Sequence, residues 1–131
     1  MTITLFWILL LLTIAHFIGD YCYVIKWLHN KIQNAKINCN DYGYFFVHGA
    51  LNGLIYAGVA AIFAWHLPWI IITVFLLEFV SHTGIDWMKS NINRKLKLQP
   101  TKWLFWFFLG LDQFFHSIFL LLVAFAIYAF I

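Results

Sequence analysis

Four apolar stretches leave this chain few ways to fold. They occupy 2–20, 44–65, 69–87 and 103–131, and about 20 apolar residues in a helix cross a ~30 Å hydrocarbon core. Within lipid the backbone must satisfy its own hydrogen bonds, which helices do inside a single segment. Of 131 residues, 64% are hydrophobic and only 10% charged, whereas soluble domains carry about 25% charged residues. The expected fold is therefore an all-α membrane protein with four transmembrane helices in a compact bundle. A single polytopic domain, 1–131, has helices at about 2–21, 44–65, 69–88 and 109–131, joined by loops at about 22–43 and 89–108.

Basic residues orient the bundle. Lys26, Lys31 and Lys36 fall in the first long loop, and Lys89, Arg94, Lys95, Lys97 and Lys102 in the second. The connection His66-Leu67-Pro68 and both chain ends carry none. The positive-inside rule then makes both long loops cytosolic and both termini non-cytosolic. The same distribution accounts for the net charge of +3 without nucleic acid as a partner. The first apolar run lacks a basic leader and ends in His16 and Asp20 instead of a small-residue cleavage site, so it reads as a retained helix. Cys22 and Cys39 form no disulfide framework and read as free thiols in a reducing compartment. The last apolar stretch is too long for one simple span. The expectation is a short interfacial aromatic segment over 103–108 and a helix beginning near Gly110, which puts Asp112 close to the surface; a long tilted helix is the alternative.

Ionisable residues inside such stretches are costly and mark function by default. Three pairs stand at i, i+4 spacing: His16 with Asp20, His82 with Asp86, and Asp112 with His116. Each pair shares one helix face. Helices one and three run one way and helix four returns, and the reversed order of the third pair then brings every His to one level and every Asp about one turn (~5–6 Å) nearer the cytosol. His48 and Tyr44 on helix two extend this layering, and Glu78 lies one turn deeper than His82. Asn52 reads as an interhelical hydrogen-bonding residue. Gly49, Gly53, Ala57 and Ala61 make a small-residue stripe for close helix approach. His29 and His66, in loops, read as ordinary polar residues.

Imidazole and carboxylate together suit zinc, manganese or ferrous iron, and facing helices of a bundle can assemble such ligands. The expected ligands are His16, Asp20, His48, His82, Asp86, Asp112 and His116, enough for one or two divalent ions. Asp20, Asp86, Asp112 and Glu78 are the candidate catalytic carboxylates; Glu78 either holds a proton or is packed neutral. A divalent ion lowers the pKa of water and can drive attack on an ester or phosphoryl centre. Flanking Lys and Arg draw anionic headgroups toward the opening. The leading expectation is a metal-dependent hydrolase acting on an amphiphilic lipid or lipid-phosphate substrate from the cytosolic leaflet.

The motifs Ala-His-Phe-Ile-Gly-Asp at 15–20 with Trp27 and Lys31, His48, Ser-His-Thr-Gly-Ile-Asp-Trp at 81–87 and Leu-Asp-Gln-Phe-Phe-His at 111–116 resemble an uncharacterised family of small multi-pass membrane proteins of bacteria and phages, domain of unknown function 3307. That resemblance covers most of the chain and implies a bacterial inner-membrane location and importance of the same His and Asp positions, but no activity.

Three other readings compete. A proton or divalent-metal transporter would use the same layer, yet beyond Glu78 and Asn52 the outer halves of the helices are almost wholly apolar. Haem between paired His is disfavoured because carboxylates one turn away would repel its propionates. A non-catalytic membrane interaction protein would tolerate loss of His16 or Asp86. The aromatic-rich exterior is compatible with membrane lipids and with a homo-oligomer as partners.

Overall fold

The computed structural model describes residues 2–21 and 42–131, with side chains over 3–20 and 45–131. These residues form four helices: α1 (Thr2–Tyr21), α2 (Tyr42–Ala64), α3 (Pro68–Lys95) and α4 (Trp103–Phe130). Each is long and apolar enough to cross a membrane. The expectations for Cys22, Lys26, Trp27, His29, Lys31, Lys36 and Cys39, and for the Tyr44 side chain, fall outside the described residues.

Polarity is arranged from the outside in. Ile3, Phe17, Leu54, Ile62, Val80 and Phe125 are exposed on the helix exteriors, where lipid is a suitable solvent. The interior has two parts. Toward the end marked by Trp65 and Trp69, a dry cluster includes Ile8, Leu12, Tyr56, Val74, Val123 and Ile127. Toward the end bearing the basic residues lie the buried polar side chains Asn52, Glu78, His82, Asp86, Asp112 and His116. The Trp69 and Phe130 rings, 4.8 Å apart, join the start of α3 to the end of α4 and fix these helices as antiparallel.

Helices α2 and α3 pack most closely, and the small-residue stripe explains why. A Cβ on Gly53 would lie 2.9 Å from the Phe75 carbonyl oxygen, and one on Gly49 would lie 3.1 Å from that of Phe79. The turn between them is tight: the Leu67 N–H donates to Ala64 O at 2.9 Å, and Pro68 starts α3, where its missing N–H costs nothing. At the other end of α3, Leu98 N–H donates to Asn93 O and Lys97 N–H to Arg94 O. Lys97 has a φ of 48°, so these bonds form a Schellman closure with lysine where glycine is usual.

Two boundaries differ from the sequence expectation. Helix α3 does not stop at 88 but continues to Lys95, which places Lys89 on the helix instead of in a loop. Nothing in Lys89–Lys95 breaks a helix, and the basic last turn favours its C-terminus. Helix α4 is continuous from Trp103, so no separate interfacial segment precedes it and no break falls at Gly110. A single glycine costs about 1 kcal/mol in a helix interior, too little to interrupt 28 residues rich in aromatic and aliphatic side chains. Asp112 is consequently enclosed by the bundle, with 3% exposure. At about 42 Å, α4 is longer than the ~30 Å of a hydrocarbon core.

The two kinds of glycine give a direct check on this packing. Gly53→Val drives side-chain atoms into the Phe75 carbonyl and should destabilise the bundle by about 1–3 kcal/mol. Gly58 has nothing within 4 Å of an added Cβ, so Gly58→Ala should be neutral or stabilising by up to about 1 kcal/mol. Reversible denaturation in mixed micelles measures both, and equal effects would contradict the close α2–α3 contact.

Candidate metal centre

Glu78, His82 and Asp86 follow one another at four-residue spacing on α3, and this stripe faces inward between the other helices. Glu78 and His82 are 2% and 0% exposed. His82 Nδ1 lies 3.0 Å from Glu78 Oε1, so the Nδ1–H donates to the carboxylate. This bond fixes the ring and leaves the Nε2 lone pair to accept from another group. Asn52 Nδ2 donates to that Nε2 and to the His48 carbonyl oxygen, each at 3.2 Å. Glu78 thus orients a histidine, a role its position one turn deeper than His82 hinted at but did not specify.

His82 Nε2 also lies beside ligand-type atoms of two other helices. It lies 3.2 Å from His48 Nε2 and 3.2 Å from Asp20 Oδ1, while His48 Nε2 and Asp20 Oδ1 are 3.7 Å apart. Ligand atoms 2.0–2.2 Å from a tetrahedral zinc lie about 3.3–3.6 Å from one another. Asp20, His48 and His82 therefore present one face of such a sphere, contributed by three different helices. Asp86 adjoins it, with Oδ2 at 3.4 Å from His48 Nε2 and 3.5 Å from His82 Nε2.

A second group lies beside the first. Asp86 Oδ1 is 3.8 Å and Asp112 Oδ1 3.6 Å from His116 Nε2. Asp86, Asp112 and His116 are all buried, and Asp86 faces both groups through its two oxygens. His16 completes the ring of imidazoles, centred 5.1 Å from His116 and 5.9 Å from His82, with Nε2 at 3.5 Å from Asp20 Oδ2. The rings of His82 and His116 are 4.3 Å apart, and those of His48 and His82 4.9 Å. The structure thus gathers His16, Asp20, His48, Glu78, His82, Asp86, Asp112 and His116 in one cluster. His66 lies apart from it in the α2–α3 turn, exposed.

Hydrogen bonding among the described residues leaves part of this set unsatisfied. His16 Nδ1 and Nε2, Asp20 Oδ1, Asn52 Oδ1, Asp112 Oδ1 and His116 Nε2 are buried without a partner there. Buried polar atoms without partners are expensive, and these lie where imidazole nitrogen meets carboxylate oxygen. Three combinations among the described residues could hold an ion: Asp20–His48–His82, Asp86–Asp112–His116 and His16–His82–His116. A divalent cation fits such a donor set, because it accepts several lone pairs at once and offsets the carboxylate charge.

Sequence reasoning missed Lys89. Its Nζ donates to Asp86 Oδ1 and to Asp112 Oδ2, each at 2.9 Å. The signal was its i, i+3 relation to Asp86, hidden by ending the helix at 88. Gly19 is also part of the construction: an added Cβ there would overlap Asn52 Oδ1, so glycine lets α1 bring Asp20 up to His82.

Removing the carboxylate behind His82 tests this arrangement. Glu78→Ala should weaken divalent-ion affinity by about 10–100-fold while leaving the ligands in place, as read by competition with a coloured chelator. Unchanged affinity would show that His82 is not a ligand held by Glu78.

Residues 8–130 match the model of a family described as protein of unknown function (DUF3307), a span that contains every residue of the cluster. No curated protein and no solved structure matches the chain.

Proposed function

The chain belongs to the DUF3307 family, and we propose that it is an intramembrane metal-binding protein that hydrolyses an amphiphilic substrate, a lipid or lipid phosphate, reached from the cytosolic leaflet. The observation that carries the metal reading is the meeting of Asp20 Oδ1, His48 Nε2 and His82 Nε2 at 3.2–3.7 Å, with the His82 proton already committed to Glu78. Three ligand-type atoms from three helices, spaced as the ligands of one ion are, can share a single divalent cation.

Hydrolysis is favoured by where the cluster lies. It occupies the end of the bundle that bears the basic residues, and the positive-inside rule assigns that end to the cytosol. Beyond it, Ile8, Leu12, Val123 and Ile127 are 0–1% exposed and close the bundle interior, which disfavours a path through the membrane. Between α3 and α4 a narrow crevice of about 20 Å³, bordered by Met88, Lys89, Phe108 and Asp112, reaches the cluster's edge; that is room for a water. Asp20, His48 and His82 would hold the ion, which would supply Lewis acidity and a water of lowered pKa. Glu78 holds the His82 ring, and Asp86 Oδ2 faces His48 and His82. Arg94 and Lys95, in the last turn of α3, attract anionic headgroups.

Reconstitution in vesicles containing lipid esters and lipid phosphates tests the reading. Release of acid or phosphate should fall at least about 100-fold on chelation and return with added zinc or manganese. The Asp20→Asn variant should stay inactive under both conditions. Ion flux without turnover would replace the hydrolase with a transporter, and neither turnover nor flux would leave a binding protein only.

A further inference from the structure

The second acceptor group already contains a cation. Lys89 reaches Asp86 Oδ1 and Asp112 Oδ2 at 2.9 Å each and is the one basic side chain described in contact with the cluster. The remaining atoms of this group, Asp112 Oδ1 and His116 Nε2, are buried without hydrogen-bond partners. From this we infer that Lys89 is a tethered substitute for a second metal ion: the protein holds one divalent ion, at Asp20–His48–His82, and a neutral residue at 89 would open a second divalent-ion site at Asp86–Asp112–His116. The inference rests on the metal reading above and specifies its stoichiometry.

Two arguments support it. The first is occupancy. An ion at the second group needs Asp86 Oδ1, the oxygen that Lys89 holds, and would sit against the ammonium with little water to screen the repulsion. The second is charge balance. One divalent ion and the Lys89 ammonium carry three positive charges, against four negative ones when Asp20, Asp86, Asp112 and Glu78 are all ionised. A second ion beside Lys89 would turn this into a positive excess next to the ammonium, and buried uncompensated charge is strongly disfavoured. With Lys89 removed, two divalent ions are balanced by the three aspartates together with Glu78.

The arrangement also separates the roles of the carboxylates. Lys89 draws Asp86 Oδ1 and Asp112 away from the ion, leaving Asp86 Oδ2 facing His48 and His82. Lys89 is then a positioning residue, tuning how many ions bind and which Asp86 oxygen faces the occupied site.

Elemental analysis of the full chain, purified in detergent and equilibrated with manganese or zinc, provides the test. The wild type should hold one ion per chain, Lys89→Met two, and Lys89→Met with Asp112→Asn one again; Lys89→Arg, which keeps the charge, should stay at one. Electron paramagnetic resonance of the manganese form gives a second readout: an isolated manganese spectrum is expected for the wild type and a spin-coupled pair for Lys89→Met. One ion in both wild type and Lys89→Met would overturn the inference and leave the metal centre standing. Two ions, or a coupled pair, in the wild type would likewise overturn it. No ion in either protein would overturn the metal centre and this inference together. If Lys89→Met does not fold, the wild-type spectrum alone decides.

Discussion

Imidazoles and carboxylates crowded together where four helices meet, several of their atoms without a hydrogen-bond partner among the described residues, set the terms for the rest of this structure. His82 Nε2 has given its ring's proton role to Nδ1, which bonds Glu78 at 3.0 Å, yet Nε2 faces a carboxylate oxygen and a second imidazole nitrogen at 3.2 Å. In water such groups would be solvated at little cost; inside an apolar bundle each unsatisfied acceptor costs on the order of 1–3 kcal/mol. A bundle built for stability alone would carry leucine or valine there, as its dry half does at Leu12, Val74 and Val123. Their presence on all four helices is understandable when a cation completes them.

The scaffold is built to allow this. The dry half of the interior supplies the packing, and the small residues of α2 bring α3 close enough for His48 and His82 to meet. Gly19 does the same for α1, whose Asp20 could not reach the centre past a side chain at that position. Asn52, 0% exposed, links the two layers through its bonds to His82 and His48. Rigidity at the packed end and polarity at the other are complementary. A ligand set drawn from separate helices holds its geometry only if the helices themselves are held.

Much of this was legible in the sequence, for a physical reason. In a membrane segment nearly every position is apolar, so the few that are not stand out, and i, i+4 spacing assigns them to a face without further information. His16, Asp20, His82, Asp86, Asp112 and His116 could be placed that way, and the reversed order of the last pair encoded the antiparallel return of α4. Helix ends were less legible. Hydropathy falls at Lys89 although the helix does not stop there, and the aromatic run at Trp103 looks interfacial although it is continuous with α4. The cost was the omission of Lys89, because a residue assigned to a loop has no face. Pairings across helices were equally out of reach: spacing shows that Glu78 and His82 share a face, but not that Asp20 from α1 meets His48 from α2.

Anomalous diffraction from crystals soaked in zinc, recorded at the zinc absorption edge, addresses the central claim most directly. A single strong peak about 2.0–2.2 Å from Asp20 Oδ1, His48 Nε2 and His82 Nε2 is the expected result. A cluster with no peak, its acceptors bridged by ordered waters instead, would contradict the account.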